Sequence, residues 1–303
     1  EFSSFRVSAR RQYKDFHLSS QEINIMVGQH LQSTYLKPVK LKNADMDVVI
    51  ELVKGMAYIG RERIYGFGGL PVKTSEQAIS MISSGIDSPV SSFEMLKRGV
   101  ELTYVHFHSA PATSRQSIQN VEEILTVLAG FQIQCRVYMV PLLEIQQKIM
   151  AVAPNKLWVI LFRRAMIKIA SMIAEQLDIP ALISGESVGQ VASQTLSNIR
   201  ATSDVADRPI LRPLAGLNKE DIIRIAEKIG TYEISIEPYD DCCSFFVPIH
   251  PETKADLEIV RKTEANIDFG EMFATTLKHA EIKTFEHPDY VKKSINMLEK
   301  VSD

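Results

Sequence analysis

Cysteine is scarce in this chain. Three residues, Cys135, Cys242 and Cys243, are an odd set that includes an adjacent pair, a poor basis for a disulfide framework, so a small disulfide-stapled fold is excluded. The pair has neither a second pair nor histidine at metal-ligand spacing, which argues against a structural zinc motif. Long apolar runs are missing too. No stretch approaches the ~18 uninterrupted apolar residues of a membrane span, and the first residues lack the basic-then-apolar pattern of a secretory leader. A cytoplasmic location with no membrane partner is the expectation. There is no initiating Met and no low-complexity run, and the first residues already read as strand, as in a processed or shortened start.

What is present is ordinary globular composition: 45% apolar and 23% charged residues over 303 positions, enough for one large domain and a smaller one. The charge is unevenly placed. Residues 1–75 carry 11 basic and 7 acidic side chains, a local charge of +4, which leaves the remainder at -7 for the formal total of -3. Phosphate binding needs a local positive surface and tolerates an acidic remainder, so this distribution permits RNA binding in the amino-terminal part.

Residues 1–65 read as a small α+β unit. Phe5, Val7 and Ala9 alternate with polar residues, as in a half-buried strand. A helix follows, with Ser19 and Glu22 at capping-box spacing and an apolar face of Ile23, Met26, Val27, His30 and Leu31. Val48 to Leu52, a turn at Gly55, and Ala57 to Ile64 form a hairpin. Gly66, Gly68, Gly69 and Pro71 mark residues 66–75 as a linker. In residues 76–303 short apolar strands at Ala78–Ile82, Leu102–Phe107, Cys135–Val140, Ala181–Ser184 and Ile210–Leu214 alternate with helical stretches, the last of them a carboxyl-terminal extension. That is the pattern of a doubly wound, mainly parallel α/β domain, whose ligand sits beyond the carboxyl ends of its strands.

The most informative run is Ser83-Ser84-Gly85-Ile86-Asp87-Ser88, between the strand ending at Ile82 and a helix starting near Pro89. A strand-to-helix loop aims unpaired N–H groups and the positive helix end at an anion. The run lacks the Gly-Lys-Ser/Thr ending of a P-loop and the three-glycine dinucleotide pattern, which weakens kinase and dehydrogenase readings. Taken alone, it is equally a Ser/Gly turn before a helix. It resembles the PP-loop of ATP pyrophosphatases, Ser-Gly-Gly-x-Asp-Ser, with Ser84 in place of the first glycine. Serine would be strained there if that position required φ > 0.

Further runs occur in register with this loop: Gly68 to Val72, Pro89-Val90, His106-Phe107-His108-Ser109, the glutamine-bearing run Gly185 to Gln194, and Tyr239-Asp240-Asp241-Cys242-Cys243. Together they resemble the tRNA 4-thiouridine synthase, or ThiI, family over almost the entire chain. Residues 1–65 resemble the later part of a THUMP RNA-binding domain. The family's ferredoxin-like domain and first THUMP segment have no counterpart in this sequence, and neither has the rhodanese domain of some members.

The resemblance implies ATP contacts at Met81, Ile82, Ser83, Gly85, Ser88, His106, Phe107, Arg163, Gly185 and Gln194. It implies catalytic roles for Asp87 and for Cys243 or Cys242 as the sulfur-carrying thiol, with Asp87 organising Mg²⁺. Each residue has a plainer reading as well. His106 would serve as a core histidine, Arg163 as a solvated helix charge, and Asp87 as a helix cap. Cys242 and Cys243 follow two acids that would raise a thiol pKa, so either is inert unless other neighbours activate it. Arg6, Arg10, Arg11 and Lys14, near Tyr13 and Phe16, form a basic cluster fit for RNA phosphates, or else a solvated strand end.

The implied reaction is tRNA thiolation. O4 of uridine-8 attacks the α phosphate of ATP, and a persulfide from a cysteine desulfurase then displaces AMP to give 4-thiouridine. The family also carries expectations of a homodimer and of sulfur transfer in thiamine thiazole synthesis. Two alternatives stand beside this reading: a related ATP-pyrophosphatase reaction on another RNA base, and a non-catalytic RNA-binding protein. Nucleoside mass analysis separates the first from 4-thiouridine formation, and tRNA-dependent conversion of ATP to AMP excludes the second.

Overall fold

The computed structural model describes residues 2–61, 65–238, 246 and 251–287. The chain divides into two compact units, Glu1–Gly68 and Gly69–Asp303.

In the first unit, strand β1 (Phe5–Arg11) leads into helix α1 (Ser20–Tyr35), then β2 (Met46–Val53) and β3 (Met56–Gly60). The sheet order is β1-β2-β3, with β1 parallel to β2 and β2 antiparallel to β3. Ser19 and Glu22 form the expected capping box, each closing on the other's backbone N–H. Lys54 and Gly55 make the hairpin turn, and Gly55 supplies its positive φ of 81°. Helix α1 packs on the sheet face carrying Val7, Ala9, Val48, Ile50 and Leu52.

The helical period is as read, but the buried stripe is narrower than expected. Ile23 and Val27 reach the core, whereas Met26 is 52% exposed and His30 is exposed as well. A three-stranded sheet is narrow, and Phe16 and Leu18 join its small core, so one i,i+4 row suffices to cover it. The hairpin's second strand is seen over Met56–Gly60, and residues 62–64 of the expected strand lie outside the described residues.

The second unit contains β4 (Gln77–Met81), α2 (Asp87–Leu96), β5 (Glu101–His108), α3 (Gln116–Gln132), β6 (Gln134–Pro141), α4 (Leu143–Val152) and α5 (Trp158–Gln176). These are followed by β7 (Leu182–Ile183), α6 (Leu196–Ser203), β8 (Ile210–Leu211), α7 (Lys219–Ile229), α8 (Tyr232–Ser235), α9 (Leu257–Ala265), α10 (Met272–Lys278) and β9 (Glu281–Glu286). Short 3-10 turns lie at Asn155–Leu157 and Ala192–Gln194. The sheet order is β8-β7-β4-β5-β6-β9. Every pairing is parallel except β6 with β9.

Alternation along the strands feeds two cores. Ile79, Val105, Phe107, Tyr138 and Val140 pack on one face with α4 and α5. Ala78, Leu102, Tyr104, Val137 and Met139 pack on the other with α2, α3 and α7. A sheet covered on both faces needs apolar residues at consecutive positions, which is why its strands read as short continuous runs. The carboxyl-terminal extension is not wholly helical, because β9 returns to pair with β6. This edge strand is largely exposed, so burial imposed little apolar pattern on its sequence. Among the described residues, no helix is long and apolar enough to cross a membrane.

Strands β5 and β6 lie to one side of β4, and β7 and β8 to the other. The order in which strands are added therefore switches sides between β4 and β7, and the crevice beyond their carboxyl ends is where such a sheet binds ligand.

Candidate active site

A cavity of about 620 Å³ occupies that crevice, within the usual size range of small-molecule sites. Met81, Ile82, Ser83, Gly85, Asp87 and Ser88 line it from the end of β4 and the following loop. His106 and Phe107 enter from β5, Arg163 from α5, Gly185 from the loop after β7, and Gln194 from the 3-10 turn. The tertiary fold thus gathers residues separated by more than a hundred positions into one cleft.

The loop is closed on itself by serine. Ser83 N–H donates to Ser88 Oγ at 2.8 Å, the two hydroxyl oxygens are 3.1 Å apart, and Ser88 Oγ donates to Ser83 O at 3.1 Å. Helix α2 begins at Asp87, two residues earlier than read, and no side chain caps it. Its first N–H groups are therefore left for an anion in the cleft, with the helix dipole adding to their attraction. Ser84 is fully buried with no hydrogen-bond partner for its hydroxyl, but it is not among the residues of positive φ. The serine in place of glycine therefore carries no left-handed strain.

Gly185 has a steric reason to be glycine. A Cβ there would stand 2.8 Å from both Cα and N of Ser88 and 3.0 Å from the carbonyl carbon of Asp87. Its loop and the start of α2 approach backbone to backbone, and Ser91 Oγ strengthens the contact by donating to Ser184 O at 3.0 Å.

Asp87 does not cap its helix. Its Oδ1 accepts from Lys219 Nζ at 2.6 Å and its Oδ2 from Gln190 Nε2 at 2.8 Å. As a magnesium ligand Asp87 fits the general requirement of one or two carboxylates beside phosphate oxygens. Among the described residues there is no cluster of three or more potential ligands, so phosphate would have to supply most of the coordination.

His106 is 2% exposed, with Nδ1 3.0 Å from Ile82 O. Burial lowers its pKa to about 4, against the raising effect of that bond. The ring is neutral near pH 7, and because Nδ1 faces a carbonyl it carries the proton, leaving Nε2 as an acceptor without a protein partner. The side-chain Oε1 of Gln194 is likewise buried without a partner.

Arg163 is only partly solvated, and it is not alone. Its Nη2 donates to Glu186 Oε1 at 2.5 Å and its Nη1 to Ser193 Oγ at 3.2 Å. Arg212 Nε binds the other oxygen of Glu186 at 2.7 Å. Burial alone would raise the Glu186 carboxyl, but the two guanidiniums hold it below the usual carboxylate range.

One wall is assembled through Asn198, which is fully buried at the start of α6. Its Nδ2 donates to Ala192 O at 2.8 Å and Glu252 O at 2.7 Å, and its Oδ1 accepts from Ala255 N at 3.0 Å. This ties the turn bearing Gln194 to the segment from Pro251 to Ala255.

Lys156, which lines the cavity beside Glu252, had no assigned role in the sequence, nor had Glu186, Gln190, Ser193, Asn198, Arg212, Lys219 and Glu252. Glu186, Gln190 and Ser193 lay within the recognised run Gly185 to Gln194. Lys219 and Arg212 carried no local signal, because their partners lie 132 and 26 residues away.

Cys242 and Cys243 lie outside the described residues. Cys135 is fully buried, and burial pushes its thiol up to about 12, so it is inert near neutral pH. In the first unit Arg6 pairs with Asp47 at 2.6 Å, and Arg11 donates to Lys14 O and Phe16 O at 3.3 and 2.9 Å. Arg6 and Arg10 lie on the strand face opposite Val7 and Ala9, the residues that meet α1. The basic cluster is thus divided between an ion pair, a structural turn, and two cations, Arg10 and Lys14.

Residues 73–269 match the family model described as thiamine biosynthesis protein (ThiI), and residues 1–62 match the THUMP domain model. A probable tRNA sulfurtransferase of Thermus thermophilus is 42% identical over 287 residues, covering 95% of this chain and 71% of that protein. A second, from Moorella thermoacetica, is 42% identical and covers 94% of this chain and 73% of its own length. Among solved structures, a 4-thiouridine synthetase in complex with RNA and bound ATP superposes with a TM-score of 0.85 at 36% identity, over 94% of this chain and 75% of that one. With one family model spanning most of the larger unit and relatives this similar over nearly all of its length, the chain belongs to the ThiI family of THUMP-bearing sulfurtransferases.

Proposed function

We propose that this chain is an ATP-dependent tRNA sulfurtransferase that converts uridine-8 to 4-thiouridine. The observation that carries this reading is the phosphate loop: an uncapped helix start, closed by Ser83 and Ser88, opens onto the same cavity as Arg163. The relatives named as tRNA sulfurtransferases and the ATP-bound 4-thiouridine synthetase support it.

In this reading ATP lies with its phosphates against the loop and its base toward the β4 and β5 ends. Uridine O4 attacks the α phosphate and pyrophosphate leaves along the helix start. The loop N–H groups and Arg163 offset the charge that builds on the phosphates, and the cleft aligns the two substrates. When bound, Mg²⁺ supplies further charge neutralisation on the phosphates, with Asp87 as its protein ligand. Sulfur is carried by Cys243 or Cys242 as a persulfide from a cysteine desulfurase; its terminal sulfur attacks C4 and displaces AMP, and a further thiol then attacks the carrier sulfur, breaking the S–S bond to leave 4-thiouridine and a disulfide. Arg6, Arg10, Arg11 and Lys14 contribute to tRNA binding. A cytoplasmic homodimer and a second role in thiamine thiazole synthesis complete the proposal, the latter in keeping with the family description.

Incubation with unmodified tRNA, ATP, Mg²⁺ and sulfide, followed by nucleoside mass spectrometry, tests the core chemistry and bypasses the sulfur relay. The expected product is 4-thiouridine with one AMP per sulfur inserted. Thiolation of another base, or no tRNA-dependent AMP, would overturn the assignment.

A further inference from the structure

Glu186 places a carboxylate on the wall of a cavity whose proposed guest is a polyanion. Its side chain is 4% exposed, and each of its oxygens is taken by a different arginine. Arg163 lines the cavity; Arg212 does not. Arg212 instead approaches from the end of β8, where its Nη2 donates to Ser203 Oγ at 2.7 Å and its Nη1 to Ile210 O at 3.2 Å.

The charge of this trio decides what the wall offers. Arg163 with Glu186 alone is a neutral pair, and its carboxylate would offset part of the attraction of its guanidinium for phosphate. With Arg212 on the second oxygen the group carries a net charge of +1 around a buried carboxylate, where charges interact more strongly than in open solvent. The division of the carboxylate also matters: each guanidinium satisfies one oxygen, so Arg163 gives Glu186 only its Nη2, while its Nη1 meets Ser193 Oγ, another residue of the cavity lining.

We propose that Arg212 is a positioning residue for nucleotide phosphate: acting through Glu186, it neutralises the buried carboxylate and so leaves the positive charge of Arg163 available to the polyphosphate of ATP. The inference rests on the ATP reading of the cavity and adds a residue that does not touch the ligand.

The test compares binding of ATP and of adenosine, each by calorimetry with MgCl₂ present, in the wild-type protein, Arg212→Gln and Arg212→Lys. Adenosine carries the base and sugar without phosphate charge, so a merely structural role for Arg212 would weaken both ligands alike. Expected is a fall in ATP affinity of about ten- to a hundredfold in Arg212→Gln, the range for losing a charge-assisted contact, with adenosine affinity held within about threefold. Arg212→Lys, which keeps the charge and loses the fork, retains most of the wild-type preference for ATP; should Arg212→Gln not fold, this variant decides, and collapse of the preference in it refutes the charge argument. Equal losses for both ligands, or none, in Arg212→Gln would overturn the inference alone. A wild-type protein that binds ATP no better than adenosine would overturn the ATP reading and this inference with it.

Discussion

Lys219 Nζ stands 2.6 Å from Asp87 Oδ1, joining the first residue of α7 to the first residue of α2 across 132 positions of sequence. The lysine side chain is 42% exposed, and an ion pair that open to solvent contributes little to stability. Its placement at the phosphate loop gives it a different use: it fixes the carboxylate proposed to meet Mg²⁺ and sets a second cation beside the loop.

Lys219→Met is therefore expected to leave the melting temperature nearly unchanged while lowering kcat/KM for ATP by about ten- to a hundredfold, the range for a lost charge-assisted contact. Asp87→Asn should lower turnover at least as much. Pyrophosphate release in the presence of tRNA measures both; full activity in either variant would remove that residue from the mechanism.

Gly185→Ala would drive a Cβ to 2.8 Å from the backbone of Ser88, and no flexible side chain is there to yield. Overpacking of this kind costs about 1–3 kcal/mol. The loop and helix start must move apart to relieve it, so urea denaturation should show the loss of stability and calorimetry a parallel loss of ATP binding. A stable variant with normal ATP affinity would show that the close approach is not needed.

The pH dependence of stability should carry the mark of His106. Its folded pKa of about 4 lies below the ordinary 6.5, so between these values the unfolded chain binds the extra proton. The stabilisation is fully present above pH 6.5 and is lost as pH falls toward 4, with a total of about 3 kcal/mol. Urea midpoints for wild type and His106→Gln, compared from pH 7.5 to 4.5, isolate this contribution from that of the carboxylates. The two proteins should converge in stability as pH falls, and parallel curves would disprove the assignment.

On the first unit, Arg10 and Lys14 are the members of the basic cluster that neither pair with an acid nor hold a turn. Arg10→Ala and Lys14→Ala should each weaken tRNA binding without sequence preference and reduce the salt dependence of binding by about one phosphate contact. Titrations at several salt concentrations provide the slope. An unchanged slope in both would place the RNA surface elsewhere.

Much of this was legible because it was local. The alternation Phe5, Val7, Ala9, the capping box of Ser19 and Glu22, and the strand-to-helix setting of Ser83 to Ser88 each depend on neighbours within a turn or a strand. Where reading by period went astray, at Met26 and His30, the width of the opposing sheet decided which row was buried. The edge strand Glu281–Glu286 gave no signal, since solvent on most of its side chains asks for no apolar pattern.

The order of strands as far as β8, the phosphate loop and the residue types facing the cleft were determined by the sequence itself, because backbone preference and burial act over a few residues. Only the tertiary structure decided that Asp87 would hold Lys219 in place of capping its own helix and that Arg212 would stand behind Glu186. Those outcomes depend on which distant charges the folded sheet brings within a few ångströms, and electrostatic partnership of that kind leaves no periodic trace along a chain.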